Sequence, residues 1–291
     1  MEQSGVTEVS PTSWKLAKRV LDLSRRSCIM GILNVTPDSF SDGKRYLDLG
    51  RAEERVFRMV DEGADIIDIG GESTRPNVAP VGADEELRRV IPLLERLSGR
   101  IPVPISVDTY KARVAREALR AGAEIINDIS GLTFDPAMAS TVAEAGAGLV
   151  VMHTRGRPDI MQKDTVYGNM IAEVIDFLAR SIAMAEAAGV PKDRIVVDPG
   201  IGFAKSVQGN LEIIRRLAEF ATLKCPILVG TSRKSFIGTV LGRDVDERLF
   251  GTAATVALAV ANGASIIRVH DVREMRDVAD MTHAVLSVVT H

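Results

Sequence analysis

Residues 111–128, KARVAREALRAGAEIIND, contain the unit that decides the fold. Their first eleven residues carry apolar side chains at the 3.6-residue period of an amphipathic helix. Gly122 follows, and a glycine just past a helix takes the left-handed conformation that ends it. The apolar run 124–126 then leads to Asn127 and Asp128. The stretch therefore predicts a helix, a tight turn and a buried strand with polar groups at its end.

The same unit recurs along the chain. Short apolar, β-branched runs lie at residues 28–33, 66–69, 105–107, 124–126, 149–152, 195–197, 227–229 and 266–269. Amphipathic segments lie at residues 51–62, 84–97, 111–121, 136–145, 169–188, 209–218, 246–262 and 272–288. Strands that are apolar on both faces are typical of a parallel sheet covered by helices.

About eight such units predict an α/β protein with the (β/α)8 TIM barrel fold, whose active site lies at the C-terminal ends of its parallel strands. A doubly wound sheet is the alternative. That fold normally has fewer strands and often a glycine-rich first turn, and no GxGxxG follows the first apolar run. We expect residues 28–291 to form one barrel domain. Residues 1–27 are an extension, in which residues 14–23 have apolar spacing suited to covering one end of the barrel.

Composition excludes several classes of protein. The chain is 46% hydrophobic and 26% charged, which is typical of a globular domain with an ample core. A net charge of −3 does not favour nucleic acid, and no run of about 20 apolar residues predicts a membrane span. The polar N-terminus lacks the apolar run of a secretory signal, so we expect a cytoplasmic protein. Cys28 and Cys225 are expected to be buried free thiols.

Polar residues follow almost every predicted strand. Acceptors and amide donors among them are Asp108, Asn127 and Asp198; cationic or donor groups are Arg75, Lys234, Arg268 and His270; neutral oxygen ligands are Asn34 and Thr74. The first set suits a flat heterocycle with ring nitrogens and an exocyclic amine. The second and third sets suit phosphate groups, with Mg²⁺ as a possible companion ion. Each residue alone could be a cap or a turn residue, but together they predict one mouth that binds a heterocycle and a phosphate group.

The first two loops after strands are long and rich in Gly, Pro, Ser and Asp. The first contains DSFSDG at residues 38–43, with the aromatic Phe40 at its centre. Loops of this kind often close over a substrate, so we expect both to act as lids.

These residues fall in motifs that resemble those of the dihydropteroate synthases. The motifs are MGILNVTPDSFSDG at 30–43, GGESTRP at 70–76, SVDT at 106–109, INDI at 126–129, MH at 152–153, DPGIGF at 198–203, SRKS at 232–235 and RVHD at 268–271. They occur in the family's order from about residue 28 to the C-terminus, and the first two are long and specific.

The resemblance implies a (β/α)8 barrel enzyme of folate biosynthesis. Its members join 6-hydroxymethyl-7,8-dihydropterin pyrophosphate to 4-aminobenzoate, releasing pyrophosphate. It further implies Mg²⁺ as cofactor, sulfonamides as competitors of 4-aminobenzoate, and a homodimer. The charge and composition, rather than the resemblance, argue against nucleic acid and membrane as partners.

The resemblance also assigns residues to each part of the site. The pterin would contact Asp108, Asn127, Ile129, Met152, Asp198, Phe203, Lys234 and Arg268. The pyrophosphate would contact Asn34, Thr74, Arg268 and His270, with Mg²⁺ near Asn34. The 4-aminobenzoate would contact Phe40, Thr74, Arg75, Pro76, Lys234 and Ser235. The catalytic residues would be Asp108, Lys234, Arg268 and His270.

The sequence departs from the family pattern at Lys44, at Thr154 and in the tract that follows Phe203. None of these departures removes a residue assigned to the chemistry; they concern loops and supporting positions, and His153 is expected to play a supporting part. Two alternatives stay open. One is a methyltetrahydrofolate-dependent methyltransferase, which would need neither the lid motif nor Arg268 with His270. The other is a non-catalytic paralogue that binds pterin pyrophosphate, which would be expected to lose lid or amine-pocket residues.

Overall fold

The computed structural model describes residues 11–35, 45–73 and 79–288. Their strands are β1 Ser13–Lys15, β2 Val20–Asp22, β3 Cys28–Asn34, β4 Ile66–Gly70, β5 Ile105–Asp108, β6 Ile125–Asp128, β7 Gly148–Met152, β8 Ile195–Asp198, β9 Leu228–Val229 and β10 Ile266–Val269. Their helices are α1 Arg45–Asp61, α2 Ala83–Leu97, α3 Ala112–Arg120, α4 Met138–Ala145, α5 Met170–Ala187, α6 Val207–Arg215, α7 Ser235–Leu241, α8 Leu249–Ala261 and α9 Val272–Leu286.

Strands β3 to β10 form a closed parallel sheet. Their order is β8-β7-β6-β5-β4-β3-β10-β9, and each pairs in parallel with its neighbours. A bridge between Val197 and Ile227 joins β8 to the segment before β9 and so completes the ring. The sheet returns on itself, which a doubly wound sheet does not do, and the predicted (β/α)8 TIM barrel is confirmed.

Alternate strand residues divide the core into two parts. Side chains on the outer face of the strands pack against the helices, as Val151 and Ile267 do. Their neighbours Val150 and Ile266 point into the barrel, because successive strand residues face opposite sides of a sheet. Burial on both faces explains why these strands are continuous apolar runs in the sequence.

The N-terminal hairpin covers one end of the barrel. Strands β1 and β2 pair antiparallel, and Trp14 is fully buried against the first residues of β4, β6, β9 and β10. Trp14 donates from Nε1 to the carbonyl oxygen of Arg194, at 2.8 Å. A Cβ added to Gly148 would lie 2.5 Å from Leu16 and 3.0 Å from the Trp14 ring. The hairpin therefore closes the end of the barrel at which the strands begin.

Two sequence predictions about secondary structure need correction. Most of the polar residues that were expected to follow the strands are instead the last residues of those strands. The parallel pairing extends to include them, and Asp108, for example, pairs in register with Asn127. The segment after β9 contains α7 as well as the predicted helix, which begins at Leu249 rather than at residue 246. Helix α7 has seven residues and ends at Gly242 with φ +65°. It is too short to produce a clear helical period.

Both cysteines are buried and free, as predicted. Burial raises the pKa of the Cys28 thiol to about 12 and that of Cys225 to about 11, so neither is a reactive thiolate. Within the described part of the chain, no helix is both long enough and apolar enough to span a bilayer.

Candidate active site at the carboxyl ends of the strands

Arg268 lies at the centre of the open end of the barrel. It projects from β10 and donates from Nε to Oδ2 of Asp68, at 2.6 Å, and from Nη2 to Oδ2 of Asp108, at 2.8 Å. Asn127 donates from Nδ2 to the same Asp68 oxygen, at 3.3 Å. Strands β4, β5, β6 and β10 thus bring four polar side chains to one place. Three of them, Asp108, Asn127 and Arg268, were predicted from the sequence.

Asp68 is the residue that the sequence prediction missed. It is the middle residue of β4, fully buried between apolar neighbours. A carboxylate inside a buried strand needs a charged or hydrogen-bonding partner, because an isolated buried charge is very costly. That physical signal was present in the sequence, although it did not reveal which residue is the partner.

Asp108 and Arg268 shift each other's pKa, and the Asp68 carboxylate acts on both. Burial raises the pKa of Asp108 to about 7, the nearby Arg268 opposes the shift, and Asp68 adds to it. Burial alone would lower the pKa of Arg268, but Asp68 and Asp108 raise it above its usual value. Arg268 is therefore always charged, whereas Asp108 can exchange a proton near neutral pH.

Lys234 and Asp198 lie on the adjacent side of the mouth. Burial lowers the pKa of Lys234 to about 8, and Arg268 acts in the same direction, while Asp198 and Asp108 oppose it. The Lys234 Nζ lies 4.3 Å from the centre of the Phe203 ring, a cation–π distance. Burial raises the pKa of Asp198 to about 6, and its Oδ1 accepts from the backbone N–H of Gly200 at 2.7 Å.

An apolar wall flanks these groups. Ile129, Met152 and Phe203, the three apolar residues implied by the resemblance, belong to one buried cluster. Tyr110 and Met161 belong to the same cluster and were not predicted. The wall faces polar groups on the neighbouring strands, which is the usual lining of a site for a planar heterocycle.

Asn34 and His270 lie near Arg268 on the remaining side. A Cβ added to Gly70 would be 3.6 Å from Oδ1 of Asn34 and 3.7 Å from Cβ of Asp108, so these two side chains flank one glycine. Nδ1 of His270 lies 2.9 Å from Oγ of Ser232. Burial lowers the pKa of His270 to about 4, with Arg268 and Arg233 acting in the same direction. The imidazole is therefore neutral at pH 7 in this state and can donate one hydrogen bond.

Some predicted residues cannot be placed. Phe40, Thr74, Arg75 and Pro76 lie outside the described residues. Ser235 is the first residue of α7, exposed and adjacent to Lys234. Among residues 11–35, 45–73 and 79–288, no three His, Cys, Asp or Glu side chains form a group that could hold a metal ion.

Comparison with known proteins agrees with this arrangement. A family model described as pterin binding enzyme matches residues 30–270. The dihydropteroate synthase of Bacillus subtilis (strain 168) is 46% identical over 287 residues, which cover 99% of this chain and 96% of the relative.

Solved structures of similar proteins carry the same name. Xanthomonas albilineans dihydropteroate synthase with 4-aminobenzoic acid has a TM-score of 0.89 and 42% identity, covering 96% of this chain and 100% of that one. Yersinia pestis dihydropteroate synthase with a sulfonamide drug has a TM-score of 0.89 and 41% identity, covering 95% and 100%. The chain belongs to the dihydropteroate synthase family of pterin binding enzymes.

Proposed function

We propose that this protein condenses 6-hydroxymethyl-7,8-dihydropterin pyrophosphate with 4-aminobenzoate to give 7,8-dihydropteroate and pyrophosphate. Family membership over nearly the whole chain supports the reaction. The observation that carries the proposal is the placement of the Arg268 guanidinium between Asp68 and Asp108 at the open end of the barrel. A fixed cation can bind an anionic leaving group. The carboxylates beside it can accept hydrogen bonds from the amino and amide edges of a ring in the same site.

The pterin ring would bind between the polar strand ends and the apolar wall. Asp198, Asp108 and Asn127 would hold its edges, and Lys234 and Arg268 would contact it from the neighbouring strands. Ile129, Met152 and Phe203 would pack against it. Their arrangement supports this placement because a planar heterocycle needs apolar contact on its faces and hydrogen bonds at its rim.

The pyrophosphate would bind beside Asn34, Arg268 and His270, with Thr74 from the second loop. Mg²⁺ prefers a few oxygen ligands completed by water and phosphate, so a single amide oxygen of Asn34 fits an ion that arrives with the substrate. When bound, Mg²⁺ would balance negative charge on the leaving pyrophosphate. If so, Asn34→Ala should raise the Mg²⁺ concentration needed for half-maximal rate, and an unchanged requirement would argue against this site.

The chemistry follows from these positions. The bond between the pterin methylene carbon and the pyrophosphate oxygen breaks, and its electron pair leaves with pyrophosphate, which Arg268 and His270 stabilise. The methylene carbon is left cationic, and the Asp108 carboxylate stabilises it. The amine nitrogen of 4-aminobenzoate then forms the new C–N bond and loses a proton. We propose that cation formation precedes amine attack; a requirement for the amine before pyrophosphate release would contradict that order.

The 4-aminobenzoate would bind near Lys234 and Ser235, with Phe40, Thr74, Arg75 and Pro76 from the two lid loops. Lys234 supports this because it lies between the pterin wall and the exposed first residue of α7. Sulfonamides would compete at the same place, as the complex of the Yersinia pestis relative with a sulfonamide drug suggests.

One experiment separates the candidate functions. Protein, Mg²⁺, the pterin pyrophosphate and 4-aminobenzoate are mixed, and dihydropteroate is measured by chromatography beside calorimetric binding of each substrate. We expect product to form. Tight pterin binding without product would favour the non-catalytic paralogue, and methyl transfer from methyltetrahydrofolate would favour the methyltransferase.

We also propose a homodimer formed through α8 and α9. These helices expose several large apolar side chains, among them Phe250 at 84%, Met281 at 66% and Val285 at 61%. Neighbouring exposed apolar residues of this size usually mark an interface. The cytoplasmic location stays a prediction from the sequence.

A further inference from the structure

Lys205 is a buried lysine beside the candidate site, to which the proposed reaction gives no role. It lies between β8 and α6, with 4% of its surface exposed. Its Nζ donates to the carbonyl oxygen of Phe203 and to Nδ1 of His153, each at 2.9 Å. Within the described residues no carboxylate forms a salt bridge with it. Burial lowers the pKa of Lys205 to about 7, so a protonated amine is costly to hold at this place, and its position calls for a function.

The loop that Lys205 serves has an unusual backbone. Gly200, Gly202 and Ala204 have φ values of +73°, +82° and +51°. A Cβ added to Gly200 would lie 2.0 Å from the carbonyl oxygen of His153, so the loop is pressed against the end of β7. Ala204 is not a glycine, and such a residue keeps a left-handed conformation only where its surroundings hold it.

Side chains hold this loop at several residues. Gly202 donates its N–H to Oδ1 of Asn210, at 2.6 Å, and accepts from Nε2 of Gln162, at 2.9 Å. The hydroxyl of Tyr167 donates to the carbonyl oxygen of Ala204, at 3.0 Å. Lys205 differs from these partners because its amine can carry a charge and because it links the loop directly to the end of β7.

His153 is a rigid acceptor for Lys205. Burial lowers the pKa of His153 to about 2, and the neighbouring Lys205 and Arg155 act in the same direction, so the imidazole is neutral. When Lys205 is protonated, its ammonium group can only donate, which makes Nδ1 the acceptor and places the proton on Nε2. The ring packs edge-on against Phe177, with 4.9 Å between ring centres.

We propose that Lys205 is a positioning residue for the pterin half of the reaction, in which its ammonium group ties the Phe203 carbonyl to His153 and so keeps Phe203 and Asp198 directed into the barrel mouth. This inference rests on the proposed function. The held loop begins at Asp198 and carries the Phe203 ring that contacts Lys234. Loss of the tie would disturb the pterin pocket and leave the 4-aminobenzoate side unchanged.

The charge of Lys205 has a second effect on Asp198. The charged groups that act on Lys205 are Asp198 from β8, Lys234 from the loop after β9 and Arg155 from the loop after β7. Lys205 in turn favours the ionised form of Asp198. A neutral side chain at position 205 would therefore raise the pH at which Asp198 loses its proton.

The test compares Lys205→Met with Tyr167→Phe in the full-length protein. Lys205→Met keeps the aliphatic stem and removes the charge and both hydrogen bonds. We expect it to raise KM for the pterin pyrophosphate about tenfold or more and to leave KM for 4-aminobenzoate within about twofold. Tyr167→Phe removes one neutral hydrogen bond from the same loop, and we expect both KM values to stay within about twofold.

A purely structural role would lower the melting temperature of Lys205→Met with both KM values unchanged, and that result would overturn the proposal. If Lys205→Met does not fold, the variants His153→Leu and His153→Asn test the same hydrogen bond from its other end. Leucine removes the acceptor and should raise the pterin KM, whereas asparagine offers an amide oxygen and should restore it; equal values for the two variants would refute the tie. Absence of dihydropteroate with the wild-type protein would instead refute the proposed function.

Discussion

Asp68 and Arg268 form a buried ion pair across the first strand of the barrel. Nε and Nη2 of Arg268 both lie 2.6 Å from the same oxygen, Oδ2, of Asp68. The two residues belong to β4 and β10, the strands that pair with either side of β3. Asp68 therefore fixes the orientation in which Arg268 faces a ligand, and it does so from inside the barrel.

The first prediction concerns this pair. Asp68→Asn keeps the size of the side chain and removes its charge, so Arg268 loses its closest counter-ion. Asp108 still pairs with Arg268, but the guanidinium loses the carboxylate that fixes its orientation, so we expect kcat/KM for the pterin pyrophosphate to fall by about tenfold to a hundredfold. Steady-state kinetics measure this. A kcat/KM within twofold of the wild type, in a folded variant, would mean that Arg268 does not depend on Asp68.

The second prediction concerns pH. Burial raises the pKa of Asp198 from 3.8 to about 6, so the carboxylate is ionised above about pH 6 and takes up a proton as the pH falls through that value. If the ionised form holds the pterin, affinity should fall about tenfold per unit below about pH 6. Calorimetry with 6-hydroxymethylpterin, which has no phosphate to titrate, measures this directly.

Asp198→Asn is the control for that pH dependence. The amide cannot ionise, so binding of the pterin should be weak, and its affinity should no longer fall as the pH drops below about 6. Asp108, whose pKa burial raises to about 7, is the other carboxylate that could produce such a pH dependence. If the affinity of Asp198→Asn still falls at low pH as it does in the wild type, the pH dependence belongs to Asp108.

The third prediction concerns the first lid loop. Phe40→Leu should change the affinity for 4-aminobenzoate and sulfonamides more than that for the pterin, because the loop is expected to close over the amine. Lys234→Ala is the matched comparison, since it should weaken pterin binding. Equal effects of Phe40→Leu on all three ligands would place Phe40 elsewhere in the site.

The fourth prediction concerns the hairpin below the barrel. Trp14→Ala removes a fully buried ring and its hydrogen bond to Arg194, so the free energy of unfolding should fall by about 3–5 kcal/mol. Urea denaturation measures the loss. The folded fraction should keep the wild-type kcat, because Trp14 lies at the end of the barrel opposite the site. A changed kcat in fully folded protein would contradict that separation.

The fifth prediction concerns assembly. Phe250→Glu places a charge at the most exposed apolar side chain of α8, so a dimer formed through α8 and α9 should dissociate. Sedimentation velocity measures the mass of each form. Val20→Glu, an exposed position on the N-terminal hairpin, serves as the control and should leave the dimer intact. A wild-type protein of 31.4 kDa in solution would refute the dimer.

The sequence was sufficient to predict the barrel because the strands β3 to β10 are buried on both faces at nearly every residue. A strand such as Ile66–Gly70 therefore lacks the alternation of apolar and polar residues that marks a strand with one exposed face. Helix α7 was missed because seven residues make barely two turns, and its boundary depends on Gly242 rather than on periodicity. The strand ends were placed a residue or two early, since pairing rather than composition decides where a ladder stops.

Part of the site was also predictable, because polar residues after buried strands must meet at one mouth. The pairing of Asp68 with Arg268 was not, since the partners are 200 residues apart in the chain. Lys205 lies in the tract that follows Phe203, and no role for it was predicted from the sequence. Its role depends on two hydrogen bonds within the loop and to β7, which no local pattern reveals.

The hairpin that covers the amino ends of the strands bears on how reactants and products reach the site. Trp14 and its neighbours cover the end of the barrel at which the strands begin, and the interior above them is packed with side chains, so reactants and products reach and leave the site at the carboxyl ends of the strands. A molecule of dihydropteroate that stays bound in the site prevents the binding of both the pterin pyrophosphate and 4-aminobenzoate. We therefore expect dihydropteroate to inhibit against both reactants, because it occupies the positions of both in the same site.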